Sequence, residues 1–399
     1  MPESWIEYTV SMTEGQTAHY LPLSGVRILD MAKLIPGDLA TRILADLGAE
    51  VVKVELPGTG DYLRNIPPMY GPDSYHHLAL NRGKKSVALD LRTEAGLRDF
   101  HALANKADAI MEVSQPGRFQ QMGIDFAEMR RQRPELVICS MTGFGQTGPL
   151  ATLPSHGYSM DALAGTAIVD RKPDRTEFAD GGPSSSISSE AGASAAATAT
   201  MAALFGARTT GIGAWIDISF WDAAVEMSRA AIAHRAAMDA PRPVSMDRWS
   251  LYAIYRASDG RDVVICAIER KFFAAFCTGI GREDLLARWS SPVGGSVDYG
   301  DASMRTELDT VFRTATAQEW LDRFIEWDVP GGIVETPDDL ANFEHTTARG
   351  LLERNWHGTV PNILSPIRWM DSGTRPGTGA DVCSPVGADN EEVFRTWLS

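Results

Sequence analysis

Val26-Arg27-Ile28-Leu29-Asp30, then an amphipathic run ending at Gly48, then Val51-Val52-Lys53-Val54: the reading of this stretch decides the fold. The two short apolar runs predict strands. Between them Leu39, Ile43, Leu44 and Leu47 recur at helical spacing. Asp38 has the chemistry of a helix N-cap and Gly48 that of a helix stop. A strand, a helix and a second strand in close succession predict a βαβ unit and a parallel sheet.

Outward from this unit the alternation continues. Ser86-Val87-Ala88-Leu89 reads as a strand, residues 93–105 as a helix and Ala109-Ile110-Met111 as a strand. Residues 125–132 read as a helix and Leu136 to Ser140 as a further strand. Gly181 to Ser189 is a loop of small residues, an Ala-rich helix is predicted over 190–206, and Trp215 to Phe220 is strand-like. The first half is therefore predicted to be α/β, a doubly wound Rossmann-like domain. Its first turn, Ala32 to Gly37, carries no GxGxxG, so a dinucleotide is not expected. From about residue 245 the texture changes. Leu251 to Tyr255 and Val263 to Cys266 flank the turn signal Ser258-Asp259-Gly260, and helices follow near 270–279 and 317–327, which predicts a small α+β domain. The expected organisation is an arm over 1–22, a large domain over 23–230, a small domain over 245–340, and a segment over 341–399 that returns to the large domain.

Composition narrows the partners. At 399 residues the chain is too long for one ordinary core. No apolar run reaches the length of a membrane span. The acidic start, with Glu3, Glu7 and Glu14, lacks the basic and apolar regions of a secretory leader. Cys139, Cys266, Cys277 and Cys383 form no CxxC pair and no metal-ligand spacing, which predicts reduced thiols, a cytoplasmic location and no metal site. With 37 basic against 52 acidic residues, the net charge of −15 repels nucleic acid and anionic membranes. A phosphate-bearing ligand must then meet a local group of cations.

Seven stretches in consistent order resemble the family III CoA-transferases, the group that includes formyl-CoA transferase, carnitine CoA-transferase and the α-methylacyl-CoA racemases. They are residues 23–30, 45–55, 57–61, 81–86, Met141-Thr142-Gly143-Phe144-Gly145-Gln146-Thr147-Gly148-Pro149, Ala257-Ser258-Asp259-Gly260-Arg261, and Ala267-Ile268-Glu269. The resemblance implies a Rossmann-like large domain, a small domain and two interlocked chains. Coenzyme A or acyl-CoA is then a substrate, with no permanently bound cofactor. It also implies a mechanism in which an aspartate attacks the donor thioester to give a mixed anhydride, CoA re-forms a thioester on the enzyme, and the acceptor acid takes the CoA. A carboxylate is needed because a serine ester would dissipate the thioester energy.

Against that pattern the chain departs. The family's aspartate lies four residues before a glycine that opens the Ala-rich helix; that glycine is Gly192, and the position is held by Ser188. Glu190 is a candidate displaced carboxylate, or a helix-start acid that complements the dipole. For CoA the resemblance points to Lys33, Leu89, Arg92, Arg118 and Gln121, the last replacing a family arginine; Lys53, Lys84 and Lys85 are further cations for phosphate. His156 and Glu269 match the proton-transfer residues of the racemase branch, while Asp161 is not expected to pair with His156. Trp249, Tyr252, Phe272 and Phe273 suit either an aromatic-acid pocket or a domain core.

Two losses in one site imply a chain that does not run the reaction alone. The expectation is a heteromeric CoA-transferase whose Asp-containing paralogous subunit supplies the nucleophile. Succinyl-CoA:(R)-benzylsuccinate CoA-transferase, of anaerobic toluene degradation, is a two-subunit member of the family, and this chain is similar to a subunit of that kind without the nucleophile. The alternatives are a homodimeric racemase-like enzyme using His156 and Glu269, and a non-catalytic acyl-CoA-binding protein.

Overall fold

The apolar run that opens the domain becomes strand β1, Arg27–Met31, in the computed structural model. The model describes residues 20–171, 176–178, 186–238, 249–289, 297–357, 360–377, 379 and 383–399. Helix α1, Leu34–Asp46, follows β1. Strand β2, Glu50–Glu55, follows the positive-φ Gly48 (φ 100°). The helix starts four residues before Asp38, with Lys33 at its N-cap, so Asp38 is not a cap. Pro36 in the first turn is tolerated because no N–H there has an intrahelical partner. Asp38 is instead wholly buried and ion-paired to Lys53 at 2.5 Å.

The alternation then continues as strand β3, Lys85–Ala88, helix α2, Glu94–Ala104, and strand β4, Ala109–Val113. A single turn α3, Arg118–Gln121, and helix α4, Phe126–Gln132, lead to strand β5, Val137–Thr142. Helix α5, Gly157–Ala164, and the long helix α6, Ile187–Thr210, precede strand β6, Trp215–Ser219. Helix α6 begins earlier and ends later than its Ala-rich stretch. Its cap is Ser186, whose hydroxyl accepts from the Ser189 N–H, so Ile187 to Ser189 belong to the helix rather than to the preceding loop. Residues 179–185 of that loop lie outside the described residues.

The six strands form one sheet in the order β6-β5-β4-β1-β2-β3, every pairing parallel. Alternate side chains feed opposite faces. Ile28, Val51, Met111 and Cys139 meet Ala40 and Leu44 of α1 and Ala193, Ala196 and Ala197 of α6. Leu29, Val52, Val87, Ile110 and Ile138 meet Phe100 and Leu103 of α2 and the fully buried Trp397. Trp397 comes from the C-terminal helix over Asn390–Leu398, so the tail is not wholly Pro- and Gly-rich coil. It is fastened to β3, where the Ser86 N–H donates to Asp389 (2.7 Å) and the Ala88 N–H to Asn390 (2.8 Å).

Two compact units result: one holds the described residues up to Ala233 together with Ala348–Ser399, the other His234–Thr347. The second unit has an antiparallel sheet of β7, Tyr252–Arg256, β8, Asp262–Cys266, and β9, Gly331–Ile333. The turn between β7 and β8 carries Gly260 at φ 81°. Phe273, Phe276, Phe312 and Trp320 fill the core of this unit. Tyr252, by contrast, is exposed, Phe272 is half-buried, and Trp249 stacks on Tyr299 with ring centroids 4.2 Å apart. Among the described residues no helix is long and apolar enough to cross a membrane.

Candidate functional site

In an open parallel sheet, ligands bind beyond the carboxyl ends of the strands where the strand order reverses, because two loops diverge there and leave a crevice. Here that point lies between β1 and β4. A groove of about 530 Å³ opens there, walled by Met31 at the end of β1 and Lys33 after it, Leu56 after β2, Leu89 to Arg92 after β3, Val113 at the end of β4, and Ser114 and Gln115 after it. Phe119 and Met122 complete an apolar side.

Of the five residues assigned to CoA by resemblance, Lys33, Leu89, Arg92 and Arg118 line this one groove. Gln121 is exposed on α3 and is not among the lining residues. Lys33 is delivered by the turn into α1, where Leu34 adopts φ 62°, a left-handed conformation that costs a residue with a Cβ about 1–2 kcal/mol. Arg92 folds back onto Asp90 with two bonds of 2.8 Å. That guanidinium holds the Asp90 carboxyl down at about 2. Phe119 and Met122 were not singled out from sequence, whereas Ser114 and Gln115 are the pair before Pro116-Gly117 where the family resemblance places a groove motif; the signal that finds all four is strand order, since each follows the carboxyl end of β4.

The other lysines do not reach the groove as free cations. Lys53 is 2% exposed, gripped by Asp38 at 2.5 Å, Asp61 at 3.0 Å and the Ala32 carbonyl at 2.9 Å. Lys84 is 4% exposed and donates to Thr41 (2.7 Å), Asn81 (2.8 Å) and Asp30 (3.1 Å). Lys85 pairs with Glu50 and Glu392, both at 2.8 Å. A buried ammonium is stable only with such partners. Burial pushes the Asp38 carboxyl up to about 6 against the pull of Lys53 and Lys84.

A second cavity, about 180 Å³, shares Ser114, Gln115, Arg118 and Phe119 with the groove and reaches Glu112. Glu112 on β4 is 3% exposed and accepts from Ser114 Oγ at 2.8 Å. Burial pushes its carboxyl from the ordinary 4.5 to about 7, partly opposed by hydrogen bonds from Ser140 and Ser114.

Position 188, where the family resemblance places the acyl acceptor, is different in kind. Ser188 stands in the first turn of α6 with no exposed surface. Its N–H donates to Asp161 Oδ1 at 2.8 Å, and its hydroxyl contacts Ser186 Oγ at 2.9 Å and the Gly157 carbonyl at 3.3 Å. Asp161, set aside in the sequence reading, is thus brought against Ser188 by the packing of α5 on α6. Glu190, two residues further along the helix, is exposed. His156 and Glu269 are both exposed at the N-caps of their own helices, one in each unit.

Known proteins share the sequence pattern and fold of nearly the whole chain. The profile of CoA-transferase family III matches residues 23–390. The chain is 29% identical over 360 residues, 89% of this chain and 92% of the relative, to acetyl-CoA:oxalate CoA-transferase of Acetobacter aceti. It is 27% identical, over 97% of this chain and 91% of the relative, to the succinyl-CoA–L-malate CoA-transferase alpha subunit of Chloroflexus aurantiacus. The crystal structure of Rv3272 from Mycobacterium tuberculosis superposes with a TM-score of 0.77 at 27% identity, covering 93% of this chain and 98% of that one. Sheet order, groove position and a profile spanning both units converge on one assignment: the chain belongs to CoA-transferase family III.

Proposed function

We propose that this chain is one subunit of a heteromeric CoA-transferase, in which an Asp-bearing paralogue supplies the nucleophile and this chain supplies scaffold and a CoA-binding groove. The reaction moves CoA from a donor such as succinyl-CoA to a carboxylic acid. One observation carries the reading: Ser188, at the nucleophile position, is fully buried and spends both its N–H and its hydroxyl on neighbours inside the fold. Among the described residues its hydroxyl is bonded to Ser186 and the Gly157 carbonyl and to no histidine, it has no exposed surface, and a serine ester would not conserve the thioester energy. The groove at the strand-order reversal supports retained nucleotide binding, with Lys33 and Arg118 as its exposed cations. Arg92 joins them when a phosphate displaces Asp90. Its position beyond the strand ends suits the adenosine end of CoA. The relative named as an alpha subunit is consistent with two-chain assembly in the family.

The test is native mass spectrometry of the complex purified from its source, followed by assays of reconstituted chains. Two kinds of chain are expected, with no turnover by this one alone. Ser188→Ala is expected to leave the activity of the complex within about twofold of wild type, the scale of a substitution outside the reacting groups, whereas replacing the partner's aspartate by alanine abolishes activity. Sustained CoA transfer by this chain in isolation overturns the proposal. Succinyl-CoA with an aryl-substituted succinate is the first donor and acceptor pair to assay.

A further inference from the structure

Position 188, in the first turn of α6, is closed as well as lacking a carboxylate. Three contacts from α5 seal it. The Gly157 carbonyl accepts from Ser188 Oγ, and Asp161 Oδ1 accepts from the Ser188 N–H. The Gly157 backbone also lies so close to Ser186 that a Cβ added there would meet the Ser186 Cβ at 2.7 Å. Asp161 is 3% exposed, and its other side-chain bond is from Thr166 Oγ1 at 3.4 Å. Among the described residues no lysine or arginine pairs with it, and the backbone N–H it accepts from lies in the first turn of a 24-residue helix. Asp161 occupies the backbone N–H of residue 188 itself, so its carboxylate lies against the position where a restored carboxylate would stand. A carboxylate at residue 188 would share this buried setting with Asp161, and repulsion between like charges in a water-poor site raises the affinity of one of them for a proton.

We propose that Asp161 is a lock on the acyl position: a carboxylate restored at residue 188 becomes a competent acyl acceptor only when the Asp161 charge is removed. The inference rests on the reading that this chain supplies no nucleophile, and goes beyond it by naming a second barrier. In the restored step one oxygen of the new carboxylate bonds to the thioester carbonyl carbon, the C–S bond breaks and CoA leaves as the thiolate. The thiolate then attacks the carboxyl carbon of residue 188 and expels the donor acid as its carboxylate, leaving a thioester on the protein.

The full-length chain is to be prepared as wild type, Asp161→Asn, Ser188→Asp and Ser188→Asp/Asp161→Asn. Each is incubated with succinyl-CoA and read by intact mass for a hydroxylamine-labile CoA adduct, with thermal unfolding measured in parallel. The double variant is expected to accumulate at least about tenfold more adduct than Ser188→Asp when assayed at a pH below the raised carboxyl pKa, where one unit of pKa makes that factor in the ionised fraction. Its Tm should also exceed that of Ser188→Asp by more than Asp161→Asn alone exceeds wild type. Equal labelling of the single and double variants overturns the lock while leaving the silent-subunit reading in place. If neither is labelled, the Tm comparison decides: relief of the Ser188→Asp destabilisation by Asp161→Asn supports the lock, and its absence overturns it. An adduct on wild type that Asp161→Asn abolishes overturns both readings, since Asp161 is then itself the acceptor.

Discussion

At the scale of single residues, the buried carboxyls make the sharpest predictions. Glu112 is held at about 7 by burial against an ordinary value of 4.5. A carboxyl whose folded value is raised stabilises the fold fully below its unfolded value, and that contribution is lost as pH rises through the folded one. At about 1.4 kcal/mol per pH unit, the ionised Glu112 costs on the order of 3 kcal/mol. Glu112→Gln removes the titration. The stability of wild type relative to Glu112→Gln is therefore expected to fall by roughly that amount between about pH 4.5 and 8, measured by urea unfolding; a pH-independent difference would contradict it. Lys53 gives a second case. Its ammonium sits among Asp38, Asp61 and the Ala32 carbonyl with almost no exposed surface. Lys53→Met leaves those acids uncompensated and is expected to cost about 3–5 kcal/mol, while Lys85→Met, at a half-buried surface pair, costs about 1 kcal/mol or less. Equal losses in chemical denaturation would refute the assignment of Lys53 to the interior.

At the scale of elements, helix α6 shows how a local preference is overruled by what packs on it. Gly192 and Gly206 both lie inside this helix, where glycine is about 1 kcal/mol worse than alanine. A Cβ at Gly192 would meet Phe220 Cδ1 at 2.4 Å, whereas at Gly206 the nearest atom is the Ile212 carbonyl oxygen at 3.8 Å. Gly206→Ala is expected to stabilise by about 0.5–1 kcal/mol. Gly192→Ala is expected to destabilise by about 1–3 kcal/mol, because the ring of Phe220 belongs to a filled core. The thermal midpoints of the two variants should therefore shift in opposite directions. The glycine that marks the nucleophile position in the sequence is thus a packing residue in the fold. Two helix starts, those of α6 and α1, differ from the sequence reading. Ser186, Ser188 and Ser189 look like a loop by composition, yet Ser186 serves as the cap and the other two tolerate the first turn because their hydrogen bonds run to Ser186, Gly157 and Asp161. Asp38 looks like a cap, yet the turn at Leu34 starts α1 earlier and turns its carboxylate inward to Lys53.

At the scale of the molecule, the tail completes the first unit. Trp397 is fully buried against one face of the parallel sheet, and Asp389 and Asn390 bond the backbone of β3. An edge strand left without those partners exposes unpaired backbone. Trp397→Ala is expected to cost about 3–5 kcal/mol. It should lower the unfolding transition of the first unit while leaving that of His234–Thr347 largely unchanged, as resolved by calorimetry. A shift confined to the second unit would contradict that placement of the C-terminal helix.

The sequence on its own indicated the alternating architecture of the first unit and placed a serine where the family resemblance expects a carboxylate. Alternating strand and helix periodicities leave few topologies open, because parallel strands need right-handed crossovers. The serine at position 188 is read directly from its distance to Gly192. Lys33, Leu89, Arg92 and Arg118 were legible one by one, but that they share a groove follows only from the strand order β6-β5-β4-β1-β2-β3, which brings together the ends of strands far apart in the chain. Only tertiary structure decided which lysines are buried, which glycines are needed, and that Asp161 closes over Ser188. Periodicity reports which face of an element is apolar; it does not report which polar group from another element will meet a given buried charge, and that pairing sets each charge's energy.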